Sequence, residues 1–215
     1  MVKRFFETDP SFAEYLIGRH ARAEHNVVDG VATFAGSRVD SQLTERGIAE
    51  IEPLAEKIIA DGGCDIVACS QMLRSRQTAE VLAGMLEKKL QKRPHIVELE
   101  DLQEVDVGEF TGHAGAWAKE NYPEEASKFY RGDIHEWRFP GGEKYADLVN
   151  RTHSVLKQLI KIAHAGEKVI IIGHGMFDRV FLSVIMPDRE DIWGTIDIPH
   201  DILIAFQAPG KIEVR

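Results

Sequence analysis

Cysteine is nearly absent from this sequence. Its 215 residues include two cysteines, Cys64 and Cys69, which lie five positions apart in one apolar run. If that run is a strand, the two side chains point to opposite faces of the sheet, because side chains alternate along a strand. We therefore expect no disulfide between them, and the sequence has no zinc-binding cysteine pattern. Two buried thiols are typical of a protein from a reducing compartment, and we therefore expect the cytoplasm.

Long hydrophobic runs are also missing. No apolar stretch approaches the length that crosses a bilayer, and the first residues lack the apolar core of a signal peptide. Low-complexity tracts, internal repeats and Ser/Gly linkers are absent as well. We therefore expect one domain over residues 1–215 and no membrane partner.

Basic charge is in deficit, with 26 Lys and Arg against 35 Asp and Glu and a formal net charge of -9. An acidic surface disfavours nucleic acid and anionic membranes as partners. An anionic substrate would therefore need a local cluster of positive charge.

Apolar runs and helical periodicities alternate along the chain. Strands are predicted at residues 15–18, 65–69, 96–99, 168–172 and 202–206, and helices at residues 45–60, 74–89, 145–164 and from 176 onward. Pro53 is expected to kink or locally break the first helix. A Pro209-Gly210 turn followed by Ile212–Val214 predicts a closing hairpin. This order predicts an α/β fold, a three-layer sandwich whose mostly parallel central sheet has helices on both faces.

Residues able to do chemistry cluster where predicted strands end. Arg19-His20, the segment Ser70–Arg74 and His174 each follow a strand, and the carboxyl ends of strands are where sites gather in such folds. Each segment taken alone is as well explained by a solvated loop or a basic helix start. Their shared position at strand ends is the first functional signal.

The motifs together resemble those of the histidine phosphatase superfamily, the phosphoglycerate mutase-like group. In chain order they are Arg19-His20-Ala21 with Asn26, Asp40–Gly47, Ser70 with Arg74–Ala79, Leu102–Gly112, Pro140-Gly141-Gly142-Glu143, and Gly173-His174-Gly175. Each motif is moderately specific, whereas their shared order and spacing over residues 15–182 are highly specific. Three positions depart from the family pattern: Ala21 replaces Gly, Gln71 replaces Pro and Gly173 replaces Ser.

The resemblance implies an activity and a role for each site residue. His20 would be the nucleophile that forms a phosphohistidine, and Glu104 would be the general acid and base. The residues implied to balance phosphoryl charge or bind phosphate are Arg19, Asn26, Arg74, His174 and Gly175. His174, if protonated, would add a third positive donor. No metal ligand set and no cofactor are implied, and the partner is a small phosphorylated substrate.

Several alternatives remain open from the sequence. The chain could instead be a cofactor-dependent phosphoglycerate mutase, or a non-catalytic phosphate-binding or scaffold protein. A small lid insertion is expected around residues 113–140, and the substrate and the oligomeric state cannot be read from it. Arg22 is either a contact for a second anionic group or solvent-facing, and His25 and His135 are candidates for the substrate entrance.

Overall fold

A computed structural model of the protein describes residues 2–3, 9, 11–26, 31–195 and 198–207. Its strands are β1 (Val2–Lys3), β2 (Glu14–Arg19), β3 (Ile66–Cys69), β4 (His95–Glu98), β5 (Lys168–Gly173) and β6 (Leu203–Gln207). They form one sheet in the order β1-β6-β2-β5-β3-β4, in which only the β2–β6 pair among the described strands is antiparallel. The predicted mostly parallel α/β sheet is therefore confirmed.

Seven α-helices accompany the sheet in the described part of the chain. They are α1 (Glu45–Ala60), α2 (Leu73–Leu90), α3 (Gly115–Asn121), α4 (Pro123–Arg131), α5 (Tyr145–Ile162), α6 (Gly175–Ile185) and α7 (Glu190–Trp193). The predicted helices correspond to α1, α2, α5 and α6, each within a few residues of its expected ends.

Alternating strand residues divide the core into two layers, as the period of two requires. Leu16, Val67 and Ile170 pack with the buried faces of α1 and α2. Tyr15 and Ile171 face the opposite layer with α5 and α6. Helices thus cover both faces of the sheet, and the expected three-layer sandwich is what the structure has.

Three details of the fold differ from expectation or lie beyond it. Helix α1 is continuous through Pro53, so the expected local break does not occur. Strand β3 begins at Ile66, and Cys64 and Cys69 both pack, as free thiols, in the α1–α2 layer rather than on opposite faces. The predicted hairpin turn and Ile212–Val214 lie outside the described residues.

The segment around residues 113–140 contains α3, α4 and a short 3₁₀ turn, Ile134–Glu136. Its buried residues Ala118, Phe129 and Trp137 belong to the same core layer as α5 and α6. The segment is thus packed onto the main core at its base. Among the described residues, no helix has the length and apolar character to cross a membrane.

Candidate active site

The carboxyl ends of three adjacent strands form the floor of the site. Strand β5 lies between β2 and β3, with Arg19 paired to Gly173 and Cys69 paired to Ile172. The residues that follow these strands, among them His20 and His174, are therefore brought together at one edge of the sheet. This is the convergence that the strand-end pattern predicted.

His20 is almost fully buried, and its two ring nitrogens have different partners. Nδ1 lies 2.7 Å from the carbonyl oxygen of Ala21 and must donate to it. Nε2 is then the unprotonated nitrogen, and Arg74 Nε donates to it at 3.2 Å. Burial, followed by the neighbouring charges of His174, Arg19 and Arg74, lowers the pKa of His20 well below its ordinary value. The ring is therefore neutral at pH 7, with the lone pair of Nε2 directed toward Arg74.

Arg74 is held by backbone carbonyl oxygens rather than by a paired carboxylate. Its Nη1 donates to Val39 at 2.7 Å and its Nη2 to Gly36 at 3.1 Å. The nearest acidic oxygen in an ion pair, on Asp40, is 4.0 Å away. The guanidinium is 1 % exposed, and burial lowers its pKa, yet an arginine stays charged at any ordinary pH. Its positive charge is thus fixed next to Nε2 of His20.

His174 lies across the floor from His20, with ring centroids 5.1 Å apart. Its Nε2 is hydrogen bonded to the hydroxyl of Ser70 at 2.7 Å. Burial, then the charges of Arg74 and Arg19, lower the pKa of His174 well below its usual value. The ring is therefore neutral at pH 7 when these arginines are its only strongly charged neighbours, and it does not supply the third positive charge considered above.

Glu104 lines the same cavity and is 7 % exposed. Its Oε1 accepts hydrogen bonds from the backbone N–H groups of Val105 at 2.8 Å and Phe177 at 3.0 Å. Its Oε2 accepts from Met176 at 3.3 Å. Two of these donors belong to the first turn of α6, where unpaired N–H groups favour an anion. The carboxyl group is therefore held at the N-terminus of the helix that follows His174.

The remaining expected phosphate contacts also lie at the cavity. Asn26 Oδ1 accepts from the backbone of Ala23 at 2.7 Å, and Asn26 Nδ2 lies 3.2 Å from Nε2 of His25. A side chain on Gly175 would place its Cβ 3.2 Å from the guanidinium carbon of Arg19. The absence of that side chain lets Arg19 approach the start of α6.

These groups line a cavity of ≈ 370 Å³ that opens to solvent. Its cationic and polar wall consists of Arg19, His20, Arg22, His25, Asn26, Arg74, Glu104 and His200. Its other wall is mostly apolar and includes Ala32, Phe34, Ala35, Phe129 and Met176. All predicted site residues except His174 line the cavity. His174 is fully buried and is hydrogen bonded to Ser70.

The structure also places Arg22, His25 and His135, for which the sequence left alternatives open. Arg22 and His25 both line the cavity, although Arg22 Nε also lies 3.4 Å from Glu50 Oε1. His135 does not line it, because its ring packs against Tyr145 and Trp193 instead.

Sequence reasoning missed two residues of the site. His200 bonds through Nδ1 to the carbonyl oxygen of His20, which is 180 positions away. Ser70 was matched as a motif position but not as the partner of His174. No motif surrounds His200, so nothing in its local sequence identified it.

The departure at position 173 has a structural counterpart. A Cβ on Gly173 would collide with the carboxyl group of Asp178, which fills that space and is 1 % exposed. Asp178 Oδ1 accepts the backbone N–H of His174 at 3.0 Å. Burial raises the pKa of Asp178 well above its usual value. The carboxyl group of Asp178 thus occupies the space beside Gly173 and binds the backbone of His174.

A search of the described ranges for His, Cys, Asp and Glu side chains grouped closely enough to hold a metal ion finds no such group.

Comparison with known proteins places this site in a family. The sequence profile of the histidine phosphatase superfamily (branch 1) matches residues 15–201. The chain is 27% identical over 170 residues to a metal-independent phosphoserine phosphatase of Arabidopsis thaliana, covering 79% of this chain and 67% of that protein. It is 28% identical to a 2,3-bisphosphoglycerate-dependent phosphoglycerate mutase of Methylobacterium radiotolerans, covering 78% and 76%. A fructose-2,6-bisphosphatase of Saccharomyces cerevisiae is 30% identical, but the match covers 38% of that longer protein and 89% of this chain.

Solved structures agree on the fold. The alpha-ribazole phosphatase of Shigella flexneri superposes with a TM-score of 0.65 at 19% identity, over 89% of each chain. A mycobacterial glucosyl-3-phosphoglycerate phosphatase gives a TM-score of 0.64 at 17% identity, over 84% of this chain and 83% of that one. Together with the profile match over most of its length, these likenesses show that the chain belongs to branch 1 of the histidine phosphatase superfamily and is a phosphoglycerate mutase-like phosphomonoesterase.

Proposed function

We propose that this protein hydrolyses a small phosphomonoester, without a metal ion, through a phosphohistidine formed at Nε2 of His20. The observation that carries the proposal is the tautomer of His20. Its Nδ1–H donates to the Ala21 carbonyl, so Nε2 carries the lone pair and accepts from Arg74 Nε. His20, Arg74 and Glu104 line the same cavity. A neutral, oriented imidazole beside fixed positive charge is what nucleophilic attack on a phosphate dianion requires.

In the first step Nε2 attacks phosphorus, the P–N bond forms and the P–O bond to the leaving group breaks. Glu104, in its protonated form, would donate the proton that the leaving oxygen needs. Arg19 and Arg74 would bind the equatorial oxygens, on which charge is spread in the transition state. Asn26, His174 and the backbone N–H of Gly175 would provide further donors.

In the second step a water molecule attacks phosphorus and the P–N bond breaks. Glu104, now a carboxylate, would take the proton from that water and so return to its starting form. Inorganic phosphate leaves, and Nε2 of His20 recovers its lone pair. The cycle balances without an oxidant, a metal ion or a cofactor.

The placement of the lid cations favours hydrolysis over the mutase reaction. A mutase must keep water from its phosphohistidine while a doubly phosphorylated intermediate reorients in the site. Positive charge in the lid helps to hold that intermediate. About 27 residues separate Gly112 from Pro140. None of the Lys and Arg residues of this segment lines the cavity; they are Lys119, Lys128, Arg131 and Arg138. Arg131 instead pairs with Glu136 at 3.6 Å.

We further propose that the substrate is a small phosphorylated metabolite met in the cytoplasm, with no nucleic acid or membrane partner. The cavity of ≈ 370 Å³ suits a small ligand, and both cysteines are buried free thiols. Phosphoserine, 3-phosphoglycerate and fructose 2,6-bisphosphate are the first substrates to test, because relatives named for reactions of these kinds match the chain.

The nucleophile is tested by replacing His20. His20→Ala should lower the turnover of p-nitrophenyl phosphate to below about one per cent, because the residual rate then comes from binding alone. The matched control is His164→Ala, at an exposed position, which should keep full activity. Wild-type protein quenched during turnover should carry an acid-labile phosphoryl group on His20. Retained activity in His20→Ala, or absence of the adduct, would contradict the mechanism.

The mutase and scaffold alternatives are separated by one assay. The protein is incubated with 3-phosphoglycerate and 2,3-bisphosphoglycerate, and both 2-phosphoglycerate and free phosphate are followed. We expect phosphate release to exceed interconversion. Interconversion much faster than release would establish the mutase, and no turnover of any phosphoester in a wide panel would favour the scaffold.

A further inference from the structure

The Pro140–Glu143 turn, which the reaction steps above do not use, packs directly on the loop that carries Glu104. The backbone N–H of Glu143 donates to Asp106 at 2.8 Å, and the N–H of Glu109 donates to Pro140 at 2.8 Å. A Cβ on Gly142 would collide with the carbonyl oxygen of Asp106. The two backbones therefore touch without intervening side chains, which explains why glycine is needed in this turn.

Arg151 on α5 connects the turn to the loop. Its Nε and Nη2 donate to the two carboxylate oxygens of Glu143 at 2.8 and 2.9 Å. Its Nη1 donates to the carbonyl oxygens of Asp101 at 2.9 Å and Gln103 at 2.7 Å, and Nη2 reaches that of Glu104 at 3.5 Å. Every nitrogen of the planar guanidinium thus donates to at least one oxygen, and the single ammonium group of a lysine could not make this set of contacts.

Arg151 and Glu143 bind the backbone on either side of Glu104 in the sequence. Arg151 binds the carbonyl oxygens at and before Glu104, while Glu143 Oε2 accepts the backbone N–H of Asp106 at 2.7 Å. The carbon of the guanidinium also lies 4.6 Å from the ring centroid of Phe177. The backbone of Phe177 is itself a hydrogen-bond donor to Glu104 Oε1. The same pair thus contacts the loop before the acid and the helix that binds its carboxyl group.

We propose that Glu143 and Arg151 are positioning residues that set the carboxyl group of Glu104 for proton transfer to the leaving group. This inference rests on the proposed function, because it assigns Glu104 the role of the acid. Neither residue lines the cavity, so neither is expected to contact the substrate. A partly buried ion pair with this many hydrogen bonds also stabilises the fold, so a loss of activity alone would not distinguish the two roles.

The distinguishing readout is the dependence of rate on the leaving group. A displaced acid slows a substrate with a poor leaving group, such as an alkyl phosphate, and hardly affects p-nitrophenyl phosphate, which needs little protonation. We expect Arg151→Lys and Glu143→Gln each to lower kcat on the alkyl phosphate about 10–100-fold, and on p-nitrophenyl phosphate less than about 3-fold. Inhibition by vanadate should stay within about 2-fold of wild type, because Arg19 and Arg74 are untouched.

A matched control and a second background complete the test. Arg93→Lys alters another arginine with two carboxylate partners, Glu80 and Glu87, on the surface, and should change neither rate. In a Glu104→Gln background, Arg151→Lys should cause no further selective loss, because the proton donor is already gone.

A variant with a surface change guards against misfolding. Arg38 is half exposed and donates to Asp106 Oδ2 at 3.0 Å and to the Gly141 carbonyl at 2.6 Å, so it holds the same turn and loop from outside. Arg38→Lys should show a smaller loss, about 3-fold, confined to the alkyl phosphate.

Any of four results would overturn the inference. Equal losses on both substrates in the variants of Glu143, Arg151 and Arg38 would mean a structural role only. A further selective loss in the Glu104→Gln background would mean that the pair acts elsewhere. Equal losses on both substrates in Glu104→Gln would remove Glu104 as the acid and this inference with it. A selective loss in Glu104→Gln that is absent from the variants of Glu143 and Arg151 would overturn this inference but leave Glu104 as the acid.

Discussion

At the scale of single residues, Gly173 and Asp178 depend on each other. The carboxyl group of Asp178 occupies the space that a side chain at position 173 would need, and it holds the backbone N–H of His174. The serine that the family carries at position 173 would not fit beside it. The glycine at position 173 is therefore matched in this chain by the position of the Asp178 carboxyl group on α6.

This dependence predicts a non-additive pair of substitutions. Gly173→Ala should destabilise the protein by about 1–3 kcal/mol, the usual cost of overpacking a buried site. In an Asp178→Ala background the same change should cost much less, because the obstructing carboxyl group has been removed. Urea unfolding of the four proteins measures the coupling, and equal costs in both backgrounds would contradict the steric account.

The buried histidines make stability depend on pH. Burial, then the charges of Arg74, Arg19 and His200, lower the pKa of His25 to about 3. Between that value and about 6.5, the unfolded chain binds a proton that the folded protein excludes. The contribution of neutral His25 to the free energy of unfolding is therefore fully present above about pH 6.5, and it decreases as the pH falls toward about 3.

Replacing His25 should weaken this dependence. Between pH 7.5 and 5.5, each such histidine lowers the free energy of unfolding by about 1.4 kcal/mol. In His25→Gln, the decrease in the free energy of unfolding between the two pH values should be smaller than in wild type by the contribution of one histidine. Urea unfolding at both pH values measures it. His164→Gln, at an exposed position, should leave the loss unchanged, and a similar loss in wild type and His25→Gln would refute the assignment.

At the scale of elements, α1 shows how a helix tolerates an internal proline. Thr44 caps the helix by accepting the backbone N–H of Gly47 at 2.9 Å. Pro53 cannot donate to the carbonyl of Ala49, but both residues are exposed, so water can solvate that oxygen. On the opposite face Ile51, Leu54 and Ile58 are buried against the sheet. Packing of that face keeps the helix continuous where local propensity predicted a break.

Removing the proline should therefore stabilise the protein. Pro53→Ala restores one helical hydrogen bond and should raise the free energy of unfolding by about 1–3 kcal/mol. The greater conformational entropy of the unfolded chain without this proline offsets part of that increase. Glu52→Ala, at the neighbouring exposed position, should change stability by less than about 0.5 kcal/mol. Denaturant unfolding compares them, and a destabilised Pro53→Ala would show that the proline is needed in the fold.

At the scale of the whole molecule, local and global charge oppose each other. The chain carries a net charge of -9, yet Arg19, Arg22 and Arg74 line the cavity with Glu104 as the one carboxylate among its described lining residues. A phosphate ester is therefore attracted by the cavity and not by the surface as a whole. In the proposed mechanism, fixed guanidinium groups would supply the electrostatic stabilisation for which other phosphatases use metal ions.

Metal removal and vanadate test this source of stabilisation. Activity should survive exhaustive treatment with EDTA, and vanadate should inhibit because it mimics five-coordinate phosphorus between Arg19, Arg74 and His174. Inactivation by EDTA that a divalent ion reverses would contradict the metal-independent mechanism.

Residue type and spacing determined the layers of the fold and the positions of several site residues. The alternation of apolar runs and helical periods predicted the layers, because burial selects side chains of one kind with a period of 2 or 3.6. The positions of Arg19-His20, Arg74 and His174 after β2, β3 and β5 were predictable from the apolar runs that precede them. Glu104 and the proposed roles came from the resemblance of the motifs to a known family, and Arg19, His20, Arg74 and Glu104 line one cavity.

Tertiary structure alone decided how those side chains are held. His200 bonds to the carbonyl of His20, Arg74 to the carbonyls of Gly36 and Val39, and Arg151 to those of the Glu104 loop. Every residue has a backbone carbonyl, so such partners leave no mark on residue type and cannot be read from spacing. The neutral state of His174 belongs to the same class, because burial and the distances to charged neighbours exist only in the folded chain.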